Sequence, residues 1–260
     1  MLRPRIIPCL LVKNGGLVKT VRFGSPKYVG DPINAVRIFN EKEVDELIVL
    51  DIDATAQNRA PNYSLIRNLA AECRMPLCYG GGVKTVEQIQ SIVSLGVEKV
   101  AISSAAIHDP KLVSDAAERV GSQSIVVVMD VKKSGVDGRY ELRSHNGSRA
   151  TGLGPAEFAS KIEGLGAGEV VINAIDRDGV MKGYDLDLVT QVRDAISLPL
   201  TVLGGAGSLK DVAGLIRAFG IIGAAAGSLF VFKGVYRAVL ISYPSRGEKD
   251  ALITAALEAA

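Results

Sequence analysis

The sequence is poor in the residues that mark several classes of protein. Its 260 residues include no tryptophan, two histidines and three cysteines. The cysteines, Cys9, Cys73 and Cys78, are odd in number and lack the spacing of metal ligands. Because free cysteine is most often a small buried residue, we expect reduced thiols in a cytoplasmic protein without a bound metal or cofactor.

Excess charge and long apolar runs are also lacking. The formal net charge is +2, and basic residues alternate with acidic ones, which argues against a nucleic-acid partner. The longest apolar stretch, 221–232, is interrupted by glycine and is shorter than the ~20 residues of a membrane span. The first residues lead directly into a strand, so we expect neither a signal peptide nor a membrane partner.

What the sequence does contain is a regular alternation of strands and helices. Short apolar runs rich in β-branched residues are separated by segments with 3.6-residue periodicity. The predicted strands are 6–12, 47–53, 77–79, 99–103, 125–131, 169–173, 199–203 and 222–225. Eight such units in 260 residues predict a single-domain α/β protein, a (β/α)8 TIM barrel, in preference to an open doubly wound sheet.

The two halves of the chain repeat one another. Acids, glycine-rich loops and small residues at strand ends recur at an offset of 124 or 125 residues. The repeated positions are Asp51 with Asp176, Asp53 with Asp178, loop 80–83 with loop 204–207, and Ser104 with Ser228. We therefore expect two half-barrels, about 1–123 and 124–260.

The repeated loops predict two phosphate sites. Glycines let backbone N–H groups approach a ligand, and a neighbouring serine hydroxyl adds a donor. The alternative is that the glycines only cap tight turns, but their duplication, at a position that barrels use for phosphate, favours binding. The candidates are Gly81, Gly82, Ser103 and Ser104 in the first half, and Gly179, Gly205, Gly227 and Ser228 in the second. A ligand spanning both sites would carry a phosphate at each end.

Several stretches closely resemble the cyclase subunit of imidazole glycerol phosphate synthase. They include Arg-Ile-Ile-Pro-Cys-Leu at 5–10, Gly-Asp-Pro at 30–32, Asp-Arg-Asp-Gly at 176–179 and Gly-Gly-Ala-Gly at 204–207, and the likeness extends to about residue 232. The resemblance implies a duplicated barrel paired with a glutaminase, or glutamine amidotransferase, subunit. Ammonia from that partner would enter the amino-terminal face and react at the opposite face with a bis-phosphate ribonucleotide, giving imidazole glycerol phosphate.

The resemblance also implies an acid–base pair of aspartates at the ends of the first and fifth strands. Asp130 matches the fifth-strand aspartate, but Leu11 stands where the family has the first-strand aspartate. Leucine cannot transfer a proton, and losing half of such a pair typically costs on the order of 10²–10⁴ in rate. Lys19 matches a family lysine before a loop, 20–30, that could close over substrate, so it is the second catalytic candidate. A solvated lysine is the alternative there.

Other strand ends depart from the family pattern, whereas the helices and glycines follow it. The departures include Asp53, Cys78, Asn173 and Leu203. A decaying gene would lose scaffold and site alike, and a changed substrate would alter only the site. We therefore expect a paralogue with a repurposed pocket, whose further pocket residues are Leu11, Asp51, Asp53, Asn173 and Asp178.

Charged residues at the strand starts match the family's gate for ammonia. Arg5, Glu46, Lys99 and Glu169 lie at the first, second, fourth and sixth strands. The alternative is an ion network that only plugs the barrel floor. Glu98, beside these residues, stands where the family presents an acid to the glutaminase, so we expect it at the partner interface.

The two histidines have no acid or nucleophile patterned around them. His108 precedes Asp-Pro at a helix start and is expected to be a solvated turn residue. His145 lies in an insert, 132–152, whose Ser-Gly-Val-Asp-Gly turn predicts a surface hairpin. Neither is a good candidate for a catalytic base.

Two classes of function follow. In the first, the barrel is an enzyme that fixes ammonia onto its own phosphorylated substrate. In the second, it is a module that conducts ammonia to a separate enzyme. Paralogues of the family accompany the synthesis of amidino sugars for bacterial surface polysaccharide (lipopolysaccharide), which makes a sugar-modifying enzyme the further partner in that case. Neighbouring histidine genes would favour the first class, and sugar-modifying genes the second.

Overall fold

Eight parallel strands close into a barrel in the computed structural model, which describes residues 3–134 and 137–259. The strands are β1 (Arg5–Lys13), β2 (Gly16–Val21), β3 (Gly24–Gly30), β4 (Leu47–Asp51), β5 (Leu77–Gly80), β6 (Lys99–Ile102), β7 (Ile125–Ser134), β8 (Arg139–Ser144), β9 (Arg149–Ala150), β10 (Glu169–Ala174), β11 (Leu200–Leu203), β12 (Gly223–Ala226), β13 (Phe232–Lys233) and β14 (Ala238–Val239). The barrel order is β1-β4-β5-β6-β7-β10-β11-β12, and β12 pairs back onto β1. The predicted (β/α)8 barrel is confirmed, with all eight predicted strands in place.

Helices cover the outside of the barrel. They are α1 (Pro32–Glu41), α2 (Tyr63–Glu72), α3 (Val86–Ser94), α4 (Ser104–His108), α5 (Lys111–Val120), α6 (Pro155–Gly164), α7 (Leu186–Arg193), α8 (Leu209–Phe219), α9 (Ser228–Val231) and α10 (Arg246–Glu258). Side chains cap their amino ends: Thr85 and Gln88 form a capping box on α3, and Ser208 and Asp211 form one on α8. No helix in the described ranges is long and apolar enough to cross a membrane.

Two hydrophobic cores lie on the two faces of the barrel sheet. The larger fills the space between strands and helices, and the smaller fills the barrel interior. The interior cluster consists of Ile7, Cys9, Ile48, Cys78, Ala101, Val126, Val128, Val171, Leu203 and Ala225, with Leu11 and Leu50 packed against it. Alternate residues of a strand face the same side, so β1 contributes Arg5, Ile7, Cys9 and Leu11 in turn from one end of the barrel to the other.

The segment 20–30, predicted as a loop, belongs instead to an antiparallel hairpin of β2 and β3. Its turn residues Arg22 and Phe23 have φ values of +51° and +62°. A two-residue turn of type I′ needs positive φ at both positions and is usually built by Asn-Gly, so the sequence carried no turn signal here. The predicted hairpin in 132–152 is formed by β7 and β8, with Lys133 opposite Tyr140, although residues 135 and 136 of its turn lie outside the described residues.

Candidate functional site

A pocket opens at the carboxyl ends of the barrel strands, where barrels place their chemistry. Most of the residues predicted for the site line it together, although they come from both halves of the chain. They are Leu11, Lys19, Asp51, Gly81, Gly82, Ser103, Ser104, Asp130, Asn173, Asp178, Gly179, Gly205, Gly227 and Ser228. The roles assigned to them remain predictions.

Asp53 is not among the residues that line the pocket. It is buried, with its carboxylate 3.5 Å from Lys13 Nζ. The neighbouring Asp51 does line the pocket, but its Oδ1 accepts hydrogen bonds from the backbone N–H groups of Asp53 and Ala54, each at 3.2 Å. The Asp51 carboxylate therefore holds the loop that follows β4 in addition to facing the pocket.

Asp130 lies at the pocket wall on β7 and is bonded to its neighbour on β10. Asn173 Nδ2 donates to Asp130 Oδ1 at 3.0 Å, while the Asn173 Oδ1 atom is buried without a partner. Burial and, to a smaller extent, the charge of Asp178 raise the pKa of the Asp130 carboxyl to about 7, although the hydrogen bond from Asn173 opposes the rise. A carboxyl with this pKa can both donate and accept a proton near neutral pH.

Leu11 faces the same pocket from β1 and packs on the interior cluster beside Leu50. It presents only carbon atoms to the space where the family carries its second aspartate. In the described part of the chain, Asp130 is therefore without the acidic counterpart that the resemblance implied at this position.

Lys19 is buried on β2 and reaches into the pocket. Its Nζ donates to the backbone carbonyl of Cys9 at 2.6 Å, and only 5% of the residue is exposed. Burial lowers the pKa of Lys19, although the nearby Asp178 raises it. The predicted alternative of a solvated lysine is wrong for this residue, since its amine is enclosed among pocket groups.

Asp178 joins the loop after β10 to the β2–β3 hairpin. Its Oδ2 accepts from Thr20 Oγ1 at 2.7 Å and from the Phe23 backbone N–H at 3.1 Å, and its backbone carbonyl accepts from the Arg22 N–H at 2.9 Å. Burial raises the pKa of Asp178 despite these bonds. Thr20 and Phe23 also line the pocket and were missed from the sequence, because nothing in the sequence pairs residue 20 with residue 178.

Glycines of the predicted phosphate loops lie where a Cβ atom would clash with neighbouring atoms. A Cβ built on Gly81 would lie 2.5 Å from the Asp51 carbonyl, and one on Gly227 would lie 2.5 Å from Lys19 Nζ. Beside the first loop, Ser103 Oγ is buried without a hydrogen-bond partner, and Ser104 Oγ accepts from the His145 backbone N–H at 3.0 Å. An oxyanion at the first loop would supply the acceptor that Ser103 lacks.

The four charged residues at the strand starts form a closed ring at the opposite end of the barrel. Lys99 Nζ lies 2.9 Å from Glu46 and 2.8 Å from Glu169, and Arg5 pairs with the same two carboxylates. Burial alone would raise the pKa of Glu169, but the charges of Arg5 and Lys99 outweigh it and lower the pKa. Glu98 lies exposed beside the ring, on the same face.

Comparisons with known proteins identify the family of this chain. The family model described as histidine biosynthesis protein matches residues 5–237. A protein provisionally named imidazole glycerol phosphate synthase subunit HisF, from Leptospira interrogans, is 56% identical over 252 residues, which are 97% of this chain and 99% of that protein.

Further relatives carry similar names. A subunit provisionally named hisF3, from Vibrio vulnificus, is 57% identical over 249 residues, 96% of each chain. The imidazole glycerol phosphate synthase subunit HisF of Alkaliphilus metalliredigens is 39% identical over 235 residues, 90% of this chain and 93% of its own. The chain therefore belongs to the histidine biosynthesis protein family, among the relatives of the imidazole glycerol phosphate synthase HisF subunits.

Proposed function

We propose that the chain is the cyclase-type subunit of a glutamine amidotransferase, receiving ammonia from a glutaminase subunit and using it on a phosphorylated substrate. One observation carries the proposal: the charged ring lies at one end of the barrel, and the pocket with the predicted phosphate loops lies at the other. The names of its relatives support the same assignment.

The barrel interior suits a small neutral molecule. From Arg5 to Leu11, β1 advances six residues, which is roughly 20 Å at 3.3 Å per residue. The interior between them is apolar and contains the small side chains of Cys9, Ala101 and Ala225. Ammonia can cross such a region without the large cost of burying an ammonium ion, provided that side chains move aside.

The pocket supplies the remaining parts of an ammonia-fixing site. Asp130, with a pKa near 7, is the proton-transfer group, and Lys19 is the second polar group placed within the pocket. The two glycine-rich loops hold a phosphate at each end of the substrate, so that the reacting centre lies between them near Asp130.

Leu11 and Asn173 support a specialised paralogue in place of an ordinary cyclase. Ring closure needs protons to be moved at two places, and the first-strand side of this pocket offers only a leucine. A second candidate follows from the same residue: the barrel activates the glutaminase and conducts ammonia to a sugar-modifying enzyme that makes an amidino sugar for surface polysaccharide.

The proposal is tested with purified protein, ammonium salt and the bis-phosphate ribonucleotide. We expect turnover on the order of 10²–10⁴ below that of the Alkaliphilus metalliredigens subunit assayed alongside, because half of the acid–base pair is missing. Leu11→Asp should recover part of the loss, whereas Leu50→Asp, placed beside it, should not. Turnover of the unaltered protein within about tenfold of the reference would show that one aspartate suffices.

Asp130→Asn separates the two candidates in the full assembly. If chemistry takes place in this pocket, the variant should lose product formation with glutamine and with ammonium salt alike. If the barrel only conducts, both activities should stay near those of the unaltered protein.

A further inference from the structure

A second concavity opens on the same face as the main pocket. It is built by loops of the first half-barrel together with the segment between β8 and β9. Thr55, Val83, Ser104 and Ala105 line both spaces, so the concavity, here called the annexe, continues directly from the first phosphate loop.

Four basic side chains converge on the annexe: Lys84, His108, His145 and Arg149. The two histidine rings lie edge to face with centroids 5.5 Å apart, and Arg149 Nη1 lies 3.2 Å from His145 Nε2. In the ranges that the structure describes, no salt bridge joins any of the four to a carboxylate. Asp109 also lines the annexe, and its Oδ1 accepts from the Lys111 backbone N–H at 3.1 Å.

The basic side chains of the annexe act on His145 at its centre. Burial lowers the pKa of His145, and the charges of Arg149, His108 and Lys84 lower it further. His145 is therefore neutral at pH 7, with a ring nitrogen free to accept from Arg149. A bound anion would be attracted by these cations, which no carboxylate pairs with among the described residues.

The turn that carries His145 is shaped for this position. His145 and Asn146 have φ values of +51° and +56°, a conformation that residues other than glycine seldom adopt. The turn directs His145 to the annexe and Asn146 to the main pocket, and the His145 backbone N–H binds Ser104 Oγ at 3.0 Å. Ser104 thus connects the annexe to the first phosphate loop.

We propose that the annexe binds a second phosphoryl group directly beside the phosphate held by the first-half loop, so that the ligand carries a diphosphate at this end. Arginine and lysine are the side chains that most often bind phosphoryl oxygens, and the His108 ring adds a donor. The inference rests on the phosphate site of the proposed function and adds to it the class of group that the substrate carries there.

The test compares inorganic phosphate with inorganic pyrophosphate by calorimetric titration of the whole chain at pH 7.5 and constant ionic strength. We expect pyrophosphate to bind at least about tenfold more tightly, as charge-assisted hydrogen bonds to a second phosphoryl group would give. Arg149→Ala and Lys84→Ala should each reduce that ratio to about threefold or less and leave phosphate affinity unchanged. Arg119→Ala is the control, because Arg119 is exposed on α5 and contacts Gln90.

The titrations distinguish failure of the annexe from failure of the first phosphate site. If phosphate binds and pyrophosphate gains nothing, or if the annexe variants keep the ratio, the annexe is not a phosphoryl site and the proposed function is unaffected. If neither anion binds, the first phosphate site fails, and the inference fails with it.

Discussion

At the scale of single residues, burial of Asp130 destabilises the fold but gives its carboxyl a pKa suited to proton transfer. Its carboxyl faces the pocket but is enclosed enough for burial to raise its pKa to about 7, even with a hydrogen bond from Asn173 at 3.0 Å. Exposed aspartate has a pKa of about 3.9. The folded protein therefore retains a proton on Asp130 over a pH range in which the unfolded chain has lost it.

The sign of the pH dependence follows from this difference. Between about pH 4 and pH 7 the native state binds more protons than the unfolded state, so the contribution of Asp130 to stability falls as pH rises. Above pH 7 Asp130 is ionised in both states, and the full destabilisation caused by burying its charge is present. A pKa raised from about 3.9 to about 7 corresponds to about 4 kcal/mol of lost unfolding free energy. Because Asp130 is partly open to the pocket, water screens its charge, and we expect a destabilisation of about 1–3 kcal/mol.

Asp130→Asn should remove this cost. We expect the variant to be about 1–3 kcal/mol more stable than the unaltered protein at pH 8 and no more stable at pH 4. Urea unfolding at the two pH values measures the difference, with Glu118→Gln, an exposed residue of α5, as the control. Equal stabilities at pH 8 would show that water reaches Asp130 freely.

At the scale of elements, two hairpins frame the pocket, and each is held by one aspartate of the loop after β10. Asp178 accepts hydrogen bonds from Thr20 and Phe23 of the β2–β3 hairpin. Asp176 Oδ2 accepts from the Lys133 backbone N–H, at the start of the β7–β8 hairpin, at 2.9 Å. Two of the acids in the repeated positions therefore attach the hairpins to the loop after β10.

Substitution of either acid should loosen its own hairpin alone. Asp178→Ala should speed amide hydrogen exchange in 16–30, where Lys19 lies, by about tenfold, because side-chain bonds worth ~1 kcal/mol each are lost. Asp176→Ala should do the same near 133–144 and leave 16–30 unchanged, so each variant is the control for the other. Equal protection in both variants would mean that strand pairing alone holds the hairpins.

The sequence predicted the elements with strong hydrophobic periodicity. It did not predict turns in which residues other than glycine have positive φ. The barrel strands and the helices between them followed from apolar runs and capping residues. The β2–β3 hairpin did not, because Arg22 and Phe23 occupy turn positions that normally carry Asn-Gly. The short helix α4 and the C-terminal helix α10 were not predicted either; α4 has only five residues, too few to show a period.

At the scale of the whole molecule, the sequence predicted which residues meet at the pocket but not how they meet. A parallel barrel brings strand ends together, which is why 14 of the predicted residues line one space. Which residues face the pocket, and which contact one another, depends on side-chain directions that the sequence does not give. The Asp53 carboxylate lies toward Lys13 and does not line the pocket, and the rings of His108 and His145, far apart in sequence, contact one another, although His108 is exposed as expected.

The charged ring closes the amino-terminal end of the barrel, opposite the pocket. Lys99 bridges Glu46 and Glu169, which are 3% and 4% exposed, so its loss leaves two buried carboxylates to share Arg5. Removing one partner of a buried ion network typically costs ~3–5 kcal/mol, although the partial exposure of Lys99 reduces this, and Arg5 should shift across the opening.

We therefore expect Lys99→Ala to impair glutamine-dependent product formation by the assembly with the glutaminase, while activity with added ammonium salt stays comparatively intact, because ammonium bypasses the ring. Lys111→Ala, which removes an exposed lysine paired with Asp115, should change neither activity. The ratio of the two activities is the measurement, since it is insensitive to a uniform loss of folded protein. If Lys99→Ala leaves glutamine-dependent flux unchanged, or if no glutaminase associates at micromolar concentration, the ring is a structural floor and the barrel obtains its ammonia, if any, from solution.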